Sequence, residues 1–69
     1  MANKKLHINV WLNGEFRGYI KSVSYARKRF EVTSDITDAK GYVRHEIIQG
    51  DIDYCTLFGG VLGYTFTYE

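Results

Sequence analysis

The residues able to do covalent or acid–base chemistry in this 69-residue chain are few and badly spaced for it. A Cys55–His45 nucleophile pair would need both side chains on one surface. Ten residues along a helix turn through about 1000°, which sends the two to different faces. Cys55 then reads as a small buried hydrophobe. Asp51 and Asp53 stand two apart and diverge on a helix, so they cannot cooperate as acid and base. Two histidines and one cysteine without close spacing make no metal site. "FGGVLGY" (58–64) is glycine-rich but lacks the lysine and serine of a phosphate loop. Its glycines end a helix and start a strand. No constellation positions a reacting atom, so the expectation is a non-enzyme with neither cofactor nor metal.

Recognition chemistry is better represented. "FRGYIKSVSYARKRF" (16–30) holds four aromatics, five basic residues and no acid. Trp, Tyr and Arg dominate protein–protein hot spots. Aromatics with cations also form the platforms that hold single-stranded nucleic acid, at about 1–3 kcal/mol per stacked base. The candidate contact residues are Trp11, Arg17, Tyr19, Lys21, Tyr25, Arg27 and Arg29, with His7, Asn9 and Lys28 beside them. Against nucleic acid stands a net charge of only +1, because dedicated binders are strongly basic. A protein partner therefore ranks first. A merely solvated sheet face, with Trp11 and Tyr19 paired across strands, ranks second, and single-stranded nucleic acid third. Sequestration of a nucleotide signal in an oligomer cleft is a further class the composition leaves open.

The small net charge hides an asymmetry. Residues 1–30 carry seven Lys/Arg against Glu15, whereas residues 31–69 carry Lys40 and Arg44 against seven acids. Such halves suit an acidic partner or head-to-tail assembly, but two halves lying side by side and neutralising each other account for it more simply. Asp35, Asp38, Glu46, Asp51 and Asp53 read as caps and a solvated helix rather than as a nucleic-acid mimic. The length predicts one domain, 1–69, burying only ~60% of its unfolded surface, so a homo-oligomer interface could supplement the core. A lone cysteine excludes an internal disulfide and suits a reducing, cytoplasmic setting. "MANKK" is followed by an alternating segment rather than a signal-peptide apolar run. No stretch approaches the ~20 apolar residues that would span a bilayer, so no membrane association is expected.

The elements that must position these residues follow from periodicity. "LHINVWL" (6–12) alternates Leu6, Ile8, Val10 and Leu12 against His7, Asn9 and Trp11, a half-buried strand. Asn13-Gly14 marks a hairpin to a second strand over 16–22. A two-residue turn, Asn13-Gly14, would set Leu12 opposite Glu15 and Val10 opposite Arg17. A three-residue turn, Leu12-Asn13-Gly14, sets Val10 opposite Phe16, Ile8 opposite Gly18 and Leu6 opposite Ile20. The hydrophobic pattern favours the longer turn with a bulge at Gly14. "KRFEVT" (28–33) predicts a third strand, with Phe30 and Val32 inward and a turn around Ser24–Arg27. Ser34 reads as the cap of a short helical turn that ends at Gly41. Over 43–57, Val43, Ile47, Ile48, Ile52 and Cys55 recur at helical spacing. The helix is expected to reach Leu57 and end at Gly59-Gly60, before a last strand, "GYTFTYE", in preference to a Gly-Gly hairpin. The order is β-β-β-α-α-β. This is an α+β domain: an antiparallel sheet of three to four strands, one face covered by one main helix and the other open.

"FEVTSDITDAKGY", "DIDYCT" and the terminal "YTFTYE" resemble small accessory proteins of phages and prophages of Gram-positive bacteria. The matching positions are Thr33, Asp35, Ala39, Lys40 and Tyr42, with Gly41 intervening before the aromatic; the resemblance covers residues 30–69. It implies a phage-encoded chain in the host cytoplasm that binds and disables a bacterial host or defence protein, such as a CRISPR nuclease. The fragments "RGY" (17–19) and "KGY" (40–42) also resemble the start of an RNA-recognition motif, over three residues only.

Overall fold

The computed structural model describes residues 5–68. The basic lead-in at 1–4 and Glu69 of the expected last strand lie outside the described residues. Along the chain come β1 (Ile8–Leu12), β2 (Glu15–Ser24), β3 (Arg29–Thr33) and a 3-10 turn (Ile36–Asp38). After them come α1 (His45–Gly59), a second 3-10 turn (Gly60–Leu62) and β4 (Tyr64–Tyr68). The fold is α+β, with one four-stranded antiparallel sheet in the order β3-β2-β1-β4 and α1 on one face. Ile8, Val10 and Ile20 from the sheet meet Ile48, Ile52 and Cys55 from the helix, and Tyr42 closes the core. Phe30 of one edge strand reaches Tyr64 and Phe66 of the other, with ring centroids 5.3 Å apart in both cases, so the sheet's inner face is concave under α1.

The hairpin corrects the expected register. The turn has two residues, Asn13 and Gly14, both at positive φ (52° and 84°), as a type I′ turn requires. Leu12 pairs with Glu15 and Trp11 with Phe16, but Val10 pairs with Gly18, leaving Arg17 over. The bulge therefore lies in the strand rather than at the turn, and it restores the core parity one step later. Phe16 consequently leaves the core expected for it. It stands on the open face, 47% exposed. Val32, also expected inward, remains partly exposed along the edge strand.

Other boundaries shift for local reasons. Leu6 lies ahead of β1 and does not pair with Ile20. It exchanges two backbone bonds with Tyr42 (2.7 and 2.8 Å), while the Ile20 carbonyl accepts from the Lys40 N–H at 2.9 Å. β2 runs on to Ser24, so the second turn is Tyr25–Lys28, with Lys28 left-handed at φ 54°. Asp35, not Ser34, caps the first 3-10 turn, accepting from the Thr37 N–H at 2.9 Å. The helix starts at His45 and runs through Gly59 into the second 3-10 turn; Gly63, at φ 97°, ends it. A side chain on Gly63 would collide with the Asn13 amide, whose backbone N–H donates to the Gly63 carbonyl at 3.0 Å. Gly50 stays inside the helix at a cost of about 1 kcal/mol relative to Ala.

Gly18 is the tightest point of the sheet. It sits at φ 135°, and a Cβ there would stand 2.5 Å from the Thr33 carbonyl oxygen. Gly18→Ala is expected to cost about 1–3 kcal/mol, read as a lower urea midpoint. An unchanged midpoint would show that β2 and β3 do not approach this closely.

Candidate functional site

The open face of the sheet carries a row of rings. Phe16 meets Trp11 edge to face at 5.4 Å and Tyr19 at 5.3 Å, and Tyr19 meets His7 at 6.5 Å. Parity explains the row. Trp11 and Phe16 are cross-strand partners, Tyr19 pairs with Asn9, and the Arg17 bulge brings Phe16 onto the same face as Tyr19. Trp11 is anchored from β4, its indole N–H donating to the Thr67 hydroxyl at 3.0 Å.

The cations around this row stand where β2 is irregular. Arg17 is the unpaired residue of the first bulge. Lys21 is the unpaired residue of a second, between Ile20–Val32 and Ser22–Glu31. Bulges turn side chains out of the regular pleat, and both cations are exposed, as is Arg29 on β3. Glu31 lies on the same face and accepts from the Ser22 hydroxyl at 2.8 Å. Arg27 is exposed in the β2–β3 turn, where its N–H donates to the Ser24 hydroxyl oxygen.

Tyr25 is drawn away from the row to the helix side. Its hydroxyl donates to Asp51, and its ring stacks on Tyr54 with centroids 4.1 Å apart. The Tyr54 hydroxyl donates to the Tyr25 carbonyl at 2.6 Å. Asp51, read from sequence as a solvated helix acid, is in fact buried. Its carboxylate also accepts from the Tyr42 hydroxyl at 2.5 Å and from the Lys40 ammonium at 3.2 Å. Lys40 lies 5.0 Å from the centre of the Tyr42 ring. Burial, the largest single influence on Asp51, pushes its pKa up. The bonds from Tyr25, Tyr42 and Lys40 together outweigh it and hold the carboxyl below its usual range. The hydrogen bond to Asp51, then burial, raises the Tyr25 phenol to about 12. Burial, then Asp51, raises Tyr42 as well. Cys55 is fully buried, and burial with the nearby Asp51 charge pushes its thiol up to about 11. The cluster neutralises one buried charge and ties the β2–β3 turn to α1. It is an anchor for the fold.

No three His, Cys, Asp or Glu side chains gather among the described residues. Nor is any helix there long and apolar enough to cross a membrane. No protein-family model, curated protein or solved structure matches the chain. The functional reading rests on the geometry.

Asp51→Ala would leave the buried Tyr42 hydroxyl without its acceptor and should cost about 1–3 kcal/mol at neutral pH. The Asp51 contribution is present above the ordinary carboxylate range and is lost as pH falls through its depressed folded value. At the alkaline end the sign reverses. Tyr25 and Cys55 rise from 10.0 and 9.0 to about 12 and about 11 on folding. Their stabilisation is complete below about pH 9 and is lost as pH rises towards 12. Urea midpoints across pH should show both flanks, and Tyr25→Phe should reduce the alkaline one. A midpoint constant over the alkaline range would contradict the cluster.

Proposed function

We propose that this chain is a non-catalytic binding protein that engages a protein partner through the open sheet face. Trp11, Phe16 and Tyr19 form the apolar centre of the contact, and Arg17, Lys21 and Arg29 its charged rim. The observation that carries this reading is the contiguous, edge-to-face row of Trp11, Phe16, Tyr19 and His7 on a face that α1 does not cover. Aromatic anchors ringed by arginine are the composition of protein hot spots. The same geometry weighs against a base-stacking platform. Neighbouring rings stand 66–73° to one another, so each turns an edge onto the next instead of offering a run of parallel faces. Glu31 beside the cations further dilutes the field that a phosphate backbone needs.

The partner we propose is a bacterial protein, and a phage-encoded chain directed at a host or defence factor would inhibit it by occupying its surface. Support for that context comes from the resemblance of residues 30–69 alone.

The test is capture from bacterial lysate, followed by affinity measurements on the recovered partner. Trp11→Ala and Tyr19→Ala should each weaken binding by about 2 kcal/mol, roughly 30-fold. Arg17→Glu should mainly slow association, and more so at low salt. If no stoichiometric protein is recovered while labelled single-stranded DNA or RNA binds with steep salt dependence, the face reads nucleic acid and the proposal fails.

A further inference from the structure

Beside the C-terminal end of α1, the concave side of the sheet holds a cavity of about 350 Å³. Phe30 and Val32, alternate residues of the edge strand β3, line it together with Phe58 of α1. Leu62 of the second 3-10 turn and Tyr64 of β4 complete its apolar lining. Cavities that hold small ligands begin at about 300 Å³, so the space suits a small molecule. The chain leaves part of this lining uncovered, Leu62 being 67% and Val32 39% exposed.

Charge selects among small molecules. The charged residues of the lining are Lys28, in the turn just ahead of β3, and Arg29, the first residue of that strand; no acid joins them. The ion pairs among the described residues are Lys40 with Asp51 and Arg44 with Glu46. Neither Lys28 nor Arg29 is therefore neutralised by one. An opposing field comes from the C-terminus of α1, where Gly59 also lines the cavity. That terminus is worth roughly half a negative charge, which Lys28 alone outweighs. Lys28 also stands at φ 54°, a left-handed conformation that glycine adopts more readily. Glycine would serve the turn better, so the positive charge is what this position adds.

We infer that this cavity binds a small aromatic anion, its ring against Phe30 and Phe58 and its carboxylate at Lys28, with Arg29 beside it. The lining rings decide the shape of the guest. Phe58 lies at 33° to Phe30 with centroids 5.9 Å apart, and Tyr64 stands at 89° to Phe30 at 5.3 Å. A planar guest stacked on one of these rings meets another edge-on, and both are favourable aromatic geometries. The site is separate from the Trp11–Phe16 row, because Phe30 packs on the α1 side of the sheet.

Titration of the isotope-labelled full chain with naphthoate, followed by amide NMR shifts, tests this. Saturable shifts should concentrate at residues 28–32 and 58–64, with a dissociation constant of roughly 1 mM or tighter. Naphthylmethanol, the same body without charge, should bind about three- to fivefold more weakly, and naphthylmethylammonium more weakly still. Lys28→Gly suits the turn and should remove the advantage of naphthoate while leaving naphthylmethanol affinity unchanged. Leu62→Glu should weaken naphthoate at least about tenfold with circular dichroism unchanged, because that side chain is largely exposed. Trp11→Ala should alter none of this, so this inference and the sheet-face reading stand or fall separately. Absence of saturable shifts overturns the inference, as do shifts gathered around Trp11 and Tyr19 instead. So does equal binding of the three compounds, or a naphthoate advantage that survives Lys28→Gly.

Discussion

β1 and β2 can hold Trp11 against Phe16 on one face and Val10 against Gly18 on the other only because Arg17 is left over between them. A tight Asn13-Gly14 turn alone would carry the pairing of Leu12 with Glu15 onward and set Val10 opposite an arginine. The bulge absorbs one residue, and the strand returns to the parity the core needs. Three consequences follow from that displacement. Phe16 moves outward to join Trp11 and Tyr19. Arg17 is turned out beside them. Gly18 arrives at the inner face, where the close passage of Thr33 leaves no room for a side chain.

The helix side is organised by a second constraint, the burial of one carboxylate. An ionised Asp51 beneath the surface is tolerable because three donors converge on it from two separate places: Tyr25 in the β2–β3 turn, and Lys40 and Tyr42 in the segment leading to α1. No buried polar side-chain atom among the described residues is left without a partner. Aliphatic contacts in so small a core are few. The charge cluster supplies direction as well as energy, fixing where the turn and the connecting segment lie against the helix.

Much of this was legible in the sequence because it is local. Alternation at 8–12, 16–22, 28–33 and 64–68 and helical spacing at 48, 52 and 55 suffice for a sheet of three to four strands, one helix and a buried Cys55. What stayed hidden depends on chain segments meeting. Neither bulge in β2 leaves a trace in the residue pattern, because which residue is left over is decided by the partner strand. Phe16 therefore reads as core when its own strand is considered alone. Asp51 looks like any other polar helix position, since its three donors lie 9 to 26 residues away. For the same reason Tyr25 reads as part of the contact surface when its ring is in fact held against Tyr54. The signal that could have found the cluster is the wheel position of Asp51, on the same helix face as Ile48, Ile52 and Cys55.

The two uncovered apolar surfaces are not equivalent. One lies on the outer face of the sheet, around Phe16; the other lies on the far flank of α1, around Leu57, with the core between them. The aliphatic side chains on the helix flank are exposed as single surface residues commonly are. The rings on the sheet touch one another edge to face, and they meet only because the bulge at Arg17 turns Phe16 outward. Bulges of this kind re-aim side chains beside functional sites. The sheet face, not the helix flank, is therefore where this fold gives up regular pairing in favour of an exposed surface.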